Sequence, residues 1–216
     1  VEEEYGNAPL FVLKDPRICR LVPFWLAVLD RLDVDPVFVL PIRNPLEVAE
    51  SLQEAEGVDR ERGLLIWLNG VLHAEHDSRG FVRSFVDYES LLRDWRSVVK
   101  KVSADLSLPF PRLSRRAAAE TDAFLSAQLR HHSVSLDEFL AREDVLEWAK
   151  LAFGWMGLAI SGKKIPTGKI DQLHIAFTEA EKAFGPILAR SQLARERADS
   201  AVEELSTEVS DLSAEH

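Results

Sequence analysis

The stretch VFVLPIRNPLEVAESL, Val37 to Leu52, decides how this chain folds. Its opening, Val37 to Ile42, is apolar without interruption and rich in β-branched and aromatic residues. It is too short for a buried helix and reads as a strand covered on both faces. Pro41 removes one ladder donor, which puts it at the strand's end or on an edge. The pattern then changes. Asn44 is a good N-cap and Pro45 a good first helical residue, and Glu47 and Glu50 sit in the early turns favoured by the helix dipole. A strand that passes through Arg43 straight into a capped helix is the core of a β-α unit.

The same alternation extends in both directions. Upstream, PLFVLK (Pro9–Lys14) is a second continuous apolar run, stopped by Asp15-Pro16, and reads as a buried strand. Between the two, Ile18, Leu21, Val22, Trp25, Leu29 and Leu32 recur at helical spacing. Downstream, EAEGVDRERG breaks the helical pattern, which resumes with Leu65, Leu68, Leu72 and His76 on one side. GFVRSFVDY (Gly80–Tyr88) is β-rich and reads as a third strand. An amphipathic helix follows through Leu91, Leu92, Trp95, Val98, Val99 and Val102. The order β-α-β-α-α-β-α predicts an α/β fold with a parallel sheet flanked by helices. Such sheets bind ligands beyond the carboxyl ends of their strands. Lys14-Asp15-Pro16-Arg17 and Arg43-Asn44-Pro45 both fall at predicted strand ends, so two basic turns are expected on one rim.

Beyond LSLPFPRLS the strands stop. RRAAAETDAFLSAQLRHH and LDEFLAREDVLEWAKLAFGWM read as helices, and GLAISGKKIPTGK as a linker. In the tail, Leu173, Phe177, Ala180, Phe184 and Ile187 step by four and three, as do Ala198, Val202, Leu205, Val209 and Leu212. The seam is interrupted near Gly185-Pro186 and predicts a short coiled coil. Three regions result: an α/β domain over 1–132, a helical segment and linker over 133–165, and a helical tail over 166–216. The tail is expected to join a second copy or a further domain.

Composition narrows the function. The 216 residues suffice for a stable core, and 46% hydrophobic with 29% charged residues is a globular balance. A net charge of −10 argues against a nucleic-acid or anionic-membrane binder but leaves room for a small anion held by one local cluster. Cys19 is the only cysteine, so no disulfide forms within the chain and a reducing, cytoplasmic compartment is expected. No apolar run is long enough to span a membrane, and the N-terminus has no signal-peptide pattern.

Arg43 is the leading candidate for anion binding. It precedes the Asn44 cap, where its guanidinium would share an anion with the free N–H groups of the helix start. Ser51 lies about two turns further on. The plainer reading of an isolated Arg-Asn-Pro is that Arg43 pairs with an acidic neighbour while Ser51 faces solvent. Asp15 is read first as a turn residue before Pro16. His73 and His76 flank Glu75 without a third ligand in sight, so no metal is expected. Arg130-His131-His132 ends a helix, where cations are favoured anyway.

Taken together, LFVLKDPRICRLVPFW and VFVLPIRNPLEVAESL resemble sulfotransferases that use 3′-phosphoadenosine 5′-phosphosulfate (PAPS). The similarity is closest to bacterial sulfotransferase-family proteins and tyrosylprotein sulfotransferases. VDYESLLRDW looks like that family's strand-to-helix turn. The resemblance covers about Pro9 to Trp95, and more weakly reaches His132. It implies a P-loop NTPase-like fold. It also implies that Arg43 and Ser51 hold the nucleotide's 3′-phosphate, that Lys14 lies near the sulfuryl group as the catalytic cation, and that Arg130 adds charge to the phosphate. A small-molecule or glycan acceptor would receive the sulfuryl group on a hydroxyl or amine. One element departs from the family: nothing between Val1 and Leu13 resembles its glycine-rich loop for the 5′-phosphosulfate, and EEEYGN is acidic. The expectation is an N-terminally truncated sulfotransferase domain, inactive as it stands, or a non-catalytic binding or scaffold relative.

Overall fold

Phe38–Ile42 forms strand β1 and Arg83–Asp87 strand β2, and the two pair in parallel with Leu40 opposite Phe85 and Ile42 opposite Asp87. The computed structural model describes residues 1–6, 8–110, 114–125, 134–163 and 165–214. These form two units, Val1–Leu173 and His174–His216.

In the first unit, α1 (Glu2–Tyr5) precedes an extended stretch, a 3-10 turn (Pro16–Arg20) and α2 (Val22–Arg31). After β1 come α3 (Pro45–Glu56) and α4 (Arg60–Asp77). After β2 come α5 (Tyr88–Arg93), α6 (Trp95–Leu106), α7 (Arg115–Phe124), α8 (Leu136–Ala141) and α9 (Glu147–Ile160). The helix starts follow local chemistry. Asn44 caps α3 through the Leu46 N–H, Asp59 caps α4, Asp87 caps α5, and Ser135 with Glu138 builds a complete capping box on α8. Gly57, at φ +67°, ends α3 in the left-handed conformation that glycine adopts without strain.

Both faces of the sheet carry helices, as the sequence predicts, but the sheet is small. Leu40, Ile42 and Phe85 pack on one side with Val71 and Ala74 of α4 and Phe153 and Met156 of α9. Val86 packs on the other side with Val98, Val102 and Leu106 of α6. The chain is mostly helical, and among the described residues the sheet has two strands. The expected first strand does not form among the described residues: Pro9–Lys14 joins no ladder, and Val12 is 73% exposed. An apolar run becomes a strand only when a neighbour takes its N–H and C=O groups, and β1 and β2 pair only with each other. Pro41 therefore lies in an edge strand, where a missing donor is tolerated.

The helix expected over 136–156 is two helices, α8 and α9, separated by a turn in which Arg142 and Arg60 both grip Asp144. These two guanidinium groups hold the Asp144 carboxyl well below the usual carboxylate range. α9 packs on β2 and α4, so the segment over 133–165 is part of the first unit. The linker is shorter than expected, because α9 continues to Ile160 and α10 (Gly168–Ala214) begins soon after. Asp122 of α7 accepts from Trp95 and Arg96 of α6, and Arg96, followed by Trp95, pushes its carboxyl down to about 2.

α3 and α4 meet at Gly63. A Cβ built there would lie 2.8 Å from both the Cα and Cβ of Ala49. Since the clash is with backbone, Gly63→Ala must push the two helices apart. Overpacking of this kind costs about 1–3 kcal/mol. Thermal unfolding of the Gly63→Ala chain should show a midpoint lower by roughly 2–12 °C for a body of this size.

The second unit is the remainder of α10, which contains Pro186. Its Phe184, Ile187, Leu188, Val202 and Leu205 are all exposed. No helix among the described residues is long and apolar enough to cross a membrane.

Candidate functional site

Parallel pairing brings the carboxyl ends of β1 and β2 side by side, and the next residues are Arg43 and Tyr88. The Arg43 guanidinium carbon lies 5.1 Å from the centroid of the Tyr88 ring, a cation–π contact. Arg43 Nε donates to Glu47 Oε2 at 2.9 Å, one turn along α3. Trp67 Nε1, from α4, donates to the Arg43 carbonyl at 3.1 Å. Backbone, ring face and Nε are thus all engaged. Among the described residues the two terminal amino groups of Arg43 make no hydrogen bond, and the side chain keeps 26% of its exposure. The donors not used among the described residues are those of the edge that binds oxyanions through two parallel hydrogen bonds.

The rest of the helix start is closed. Asn44, Pro45, Leu46 and Glu47 are buried. Asn44 Oδ1 accepts from Leu46 N at 2.9 Å, and its Nδ2 donates to the Val134 carbonyl at 2.6 Å. Pro45 has no N–H to offer. The cap takes the Leu46 N–H that an anion was expected to share with Arg43, and the residues around it are buried. Ser51 is exposed, one turn beyond Glu47 on the same flank of α3. Glu47 sits between the two, with Oε1 enclosed and lacking a hydrogen-bond partner. The plainer sequence reading, Arg43 paired with an acid and Ser51 in solvent, describes this geometry.

Lys14 is exposed and follows the unpaired extended stretch. The expected pair of basic strand ends on one rim is therefore corrected: Arg43 follows a strand and Lys14 does not, because Pro9–Lys14 has no ladder. Asp15 is fully occupied by the turn. It accepts from Arg17 N at 2.8 Å and Arg17 Nε at 2.9 Å on Oδ1, and from Arg17 Nη2 at 2.8 Å on Oδ2. Arg17 holds its carboxyl far below the usual range, which makes it a poor proton acceptor at neutral pH. The 3-10 turn packs on α4, the helix that carries Trp67.

Arg130 lies outside the described residues. His73 and His76 both face Asp77, and no group of three His, Cys, Asp or Glu suited to a metal occurs among the described residues. Arg83, bordering the third predicted strand, serves structure: it donates to the Glu75 carbonyl at 2.7 Å and to Ser78 Oγ at 3.1 Å.

Sequence reasoning named Arg43 but missed three of its partners. Glu47 was detectable, since an acid four residues after an arginine at a helix start is within reach. Tyr88 follows a strand just as Arg43 does, so pairing of those strands would have joined them. Trp67 carried no local signal. No family model, curated protein or solved structure matches the chain.

Proposed function

We propose that this chain is a sulfotransferase-like domain that grips the 3′-phosphate of PAPS, or of the product adenosine 3′,5′-bisphosphate, through the outer edge of Arg43. One observation carries the reading: a guanidinium held at Nε by Glu47 and over the Tyr88 ring, on a backbone fixed by Trp67, whose two terminal amino groups make no hydrogen bond among the described residues. Arg43 is also the residue on which the resemblance to the family rests.

The chemistry suits such residues. Sulfuryl transfer, like phosphoryl transfer, spreads charge over equatorial oxygens and onto the leaving oxygen, and catalysis is mostly positioning with fixed positive charge. Arg43 would anchor the distant phosphate, Ser51 would add a hydroxyl along the same flank, Arg130 a further cation, and Lys14 charge near the leaving group. The acceptor would be a hydroxyl or amine of a small molecule or glycan. Residues 1–13 contain no glycine-rich cradle for the phosphosulfate, so nucleotide binding is the part of the cycle assigned to these residues.

A second reading, a non-catalytic scaffold, is favoured by the Glu47 carboxylate already on Arg43 and by Ser51 in solvent. Calorimetric titration with adenosine 3′,5′-bisphosphate separates the two. The sulfotransferase reading expects saturable binding that Arg43→Ala weakens tenfold or more, about 1.4 kcal/mol. No binding by the unaltered chain would leave the scaffold reading standing.

A further inference from the structure

The second unit carries an apolar face that the first does not explain. An isolated helix in water is marginal, and long helices draw their stability from packing one face. Phe184 and Ile187 are each 61% exposed, Val202 66% and Leu205 59%. With Leu188 and Ala198 they fall within a stripe about 100° wide on the helix surface. The sequence continues the four-and-three stepping to Val209 and Leu212.

Charge along the same helix is divided into blocks. Arg190, Arg195 and Arg197 form a basic block, interrupted by Glu196. From Asp199 to the helix end at Ala214 come Glu203, Glu204, Glu208 and Asp211 with no Lys or Arg. Two copies aligned in parallel would set the acidic block against itself, and like charges at facing positions are destabilising. Reversal about Ala198 does the opposite. It exchanges positions 190 and 206 and positions 197 and 199, so the basic block of each copy faces Asp199, Glu203 and Glu204 of the other. The same reversal sets Phe184 against Leu212 and Ile187 against Val209, with Ala194 opposite Val202 and Ser191 opposite Leu205.

We propose that a second copy of this chain docks antiparallel along α10 from Phe184 to Leu212, with the two-fold axis near Ala198. The occupant is a second copy because one rotation sets the basic block of each chain against the acidic block of the other, the requirement of a closed dimer. This inference stands apart from the nucleotide reading.

Single cysteines in a Cys19→Ser background of the full chain test it. Under mild oxidation Ala198→Cys should give a covalent dimer, since the axis brings that position against itself. Ser191→Cys alone should not, whereas a mixture of Ser191→Cys and Leu205→Cys should cross-link. Sedimentation should show a dimer that loosens with added salt as the facing charges are screened. It should also be lost in the Val202→Glu/Leu205→Glu variant. Self-cross-linking of Ser191→Cys would mean a parallel pair and overturn the proposal. Monomeric sedimentation at every concentration would overturn it equally, as would a dimer that survives Val202→Glu/Leu205→Glu.

Discussion

Phe139→Ala is expected to destabilise the first unit by about 3–5 kcal/mol, the range for deleting a fully buried aromatic ring. Phe139 is 0% exposed in a six-residue helix, α8, that could not persist alone. Its ring stands edge-on to Phe153 of α9 at 5.1 Å, and Phe153 stands edge-on to Trp67 at 6.0 Å. Trp67 in turn holds the Arg43 carbonyl. The aromatic chain therefore runs from α8 through α9 and α4 to the end of β1. At 2–4 °C per kcal/mol for a body of this size, the unfolding midpoint should fall by roughly 6–20 °C. Leu140→Ala, next in sequence but 38% exposed, should cost far less. Equal effects at the two positions would show that the α8 side chains do not pack as described.

Glu75 is the second position with a large expected effect. It is 1% exposed, and a buried carboxylate survives only when paired and hydrogen-bonded. Arg79 Nε donates to both of its oxygens, at 2.9 and 3.1 Å, and Arg79 Nη2 donates to Oε2. Arg83 Nη2 reaches Oε1 at 3.3 Å. Arg79 also binds Asp171 in the first turn of α10, so the network ties the end of α4 to β2 and to the α10 start. Its hydrogen bonds to Glu75 raise the Arg79 pKa above the ordinary guanidinium value. Removing one member of a buried pair costs about 3–5 kcal/mol when the other charge is stranded. Arg79 and Arg83 keep 26% and 21% exposure and can turn partly to water, so about 3 kcal/mol is expected for Glu75→Ala. Glu75→Gln should be nearly as costly despite its matching shape, because its NH2 would face guanidinium donors where an acceptor is needed. Denaturant unfolding of both variants checks this, and a Glu75→Gln chain as stable as the original would mean that shape, not charge, sets the cost.

Nothing about Glu75 stands out in the linear chain. It lies between His73 and His76, where no metal was expected, and it anchors two arginines. Arg79 is one turn away and was within reach of spacing arguments. Arg83 belongs to the following strand and meets Glu75 only because the chain turns back at Gly80, which adopts φ +85°. The candidate site divides in the same way. Arg43, its helix cap and the acid four residues on lie within one turn of each other. Tyr88 and Trp67 reach Arg43 from other elements.

The residue order by itself pointed to strands around Phe38–Ile42 and Arg83–Asp87, to the Asn44-capped helix after the first, and to the apolar stripe along α10. Each of these is legible from residues a few positions apart, although the strands exist only because they pair with each other. Only the tertiary structure decided that Pro9–Lys14 joins no ladder and that Arg43 lies over Tyr88 with Glu47 at its Nε. Those outcomes depend on which strands find partners and on how α3 and α4 close at Gly63. A run of apolar side chains has no partner of its own, and the energy of a ladder or a buried ion pair exists only once distant elements have met.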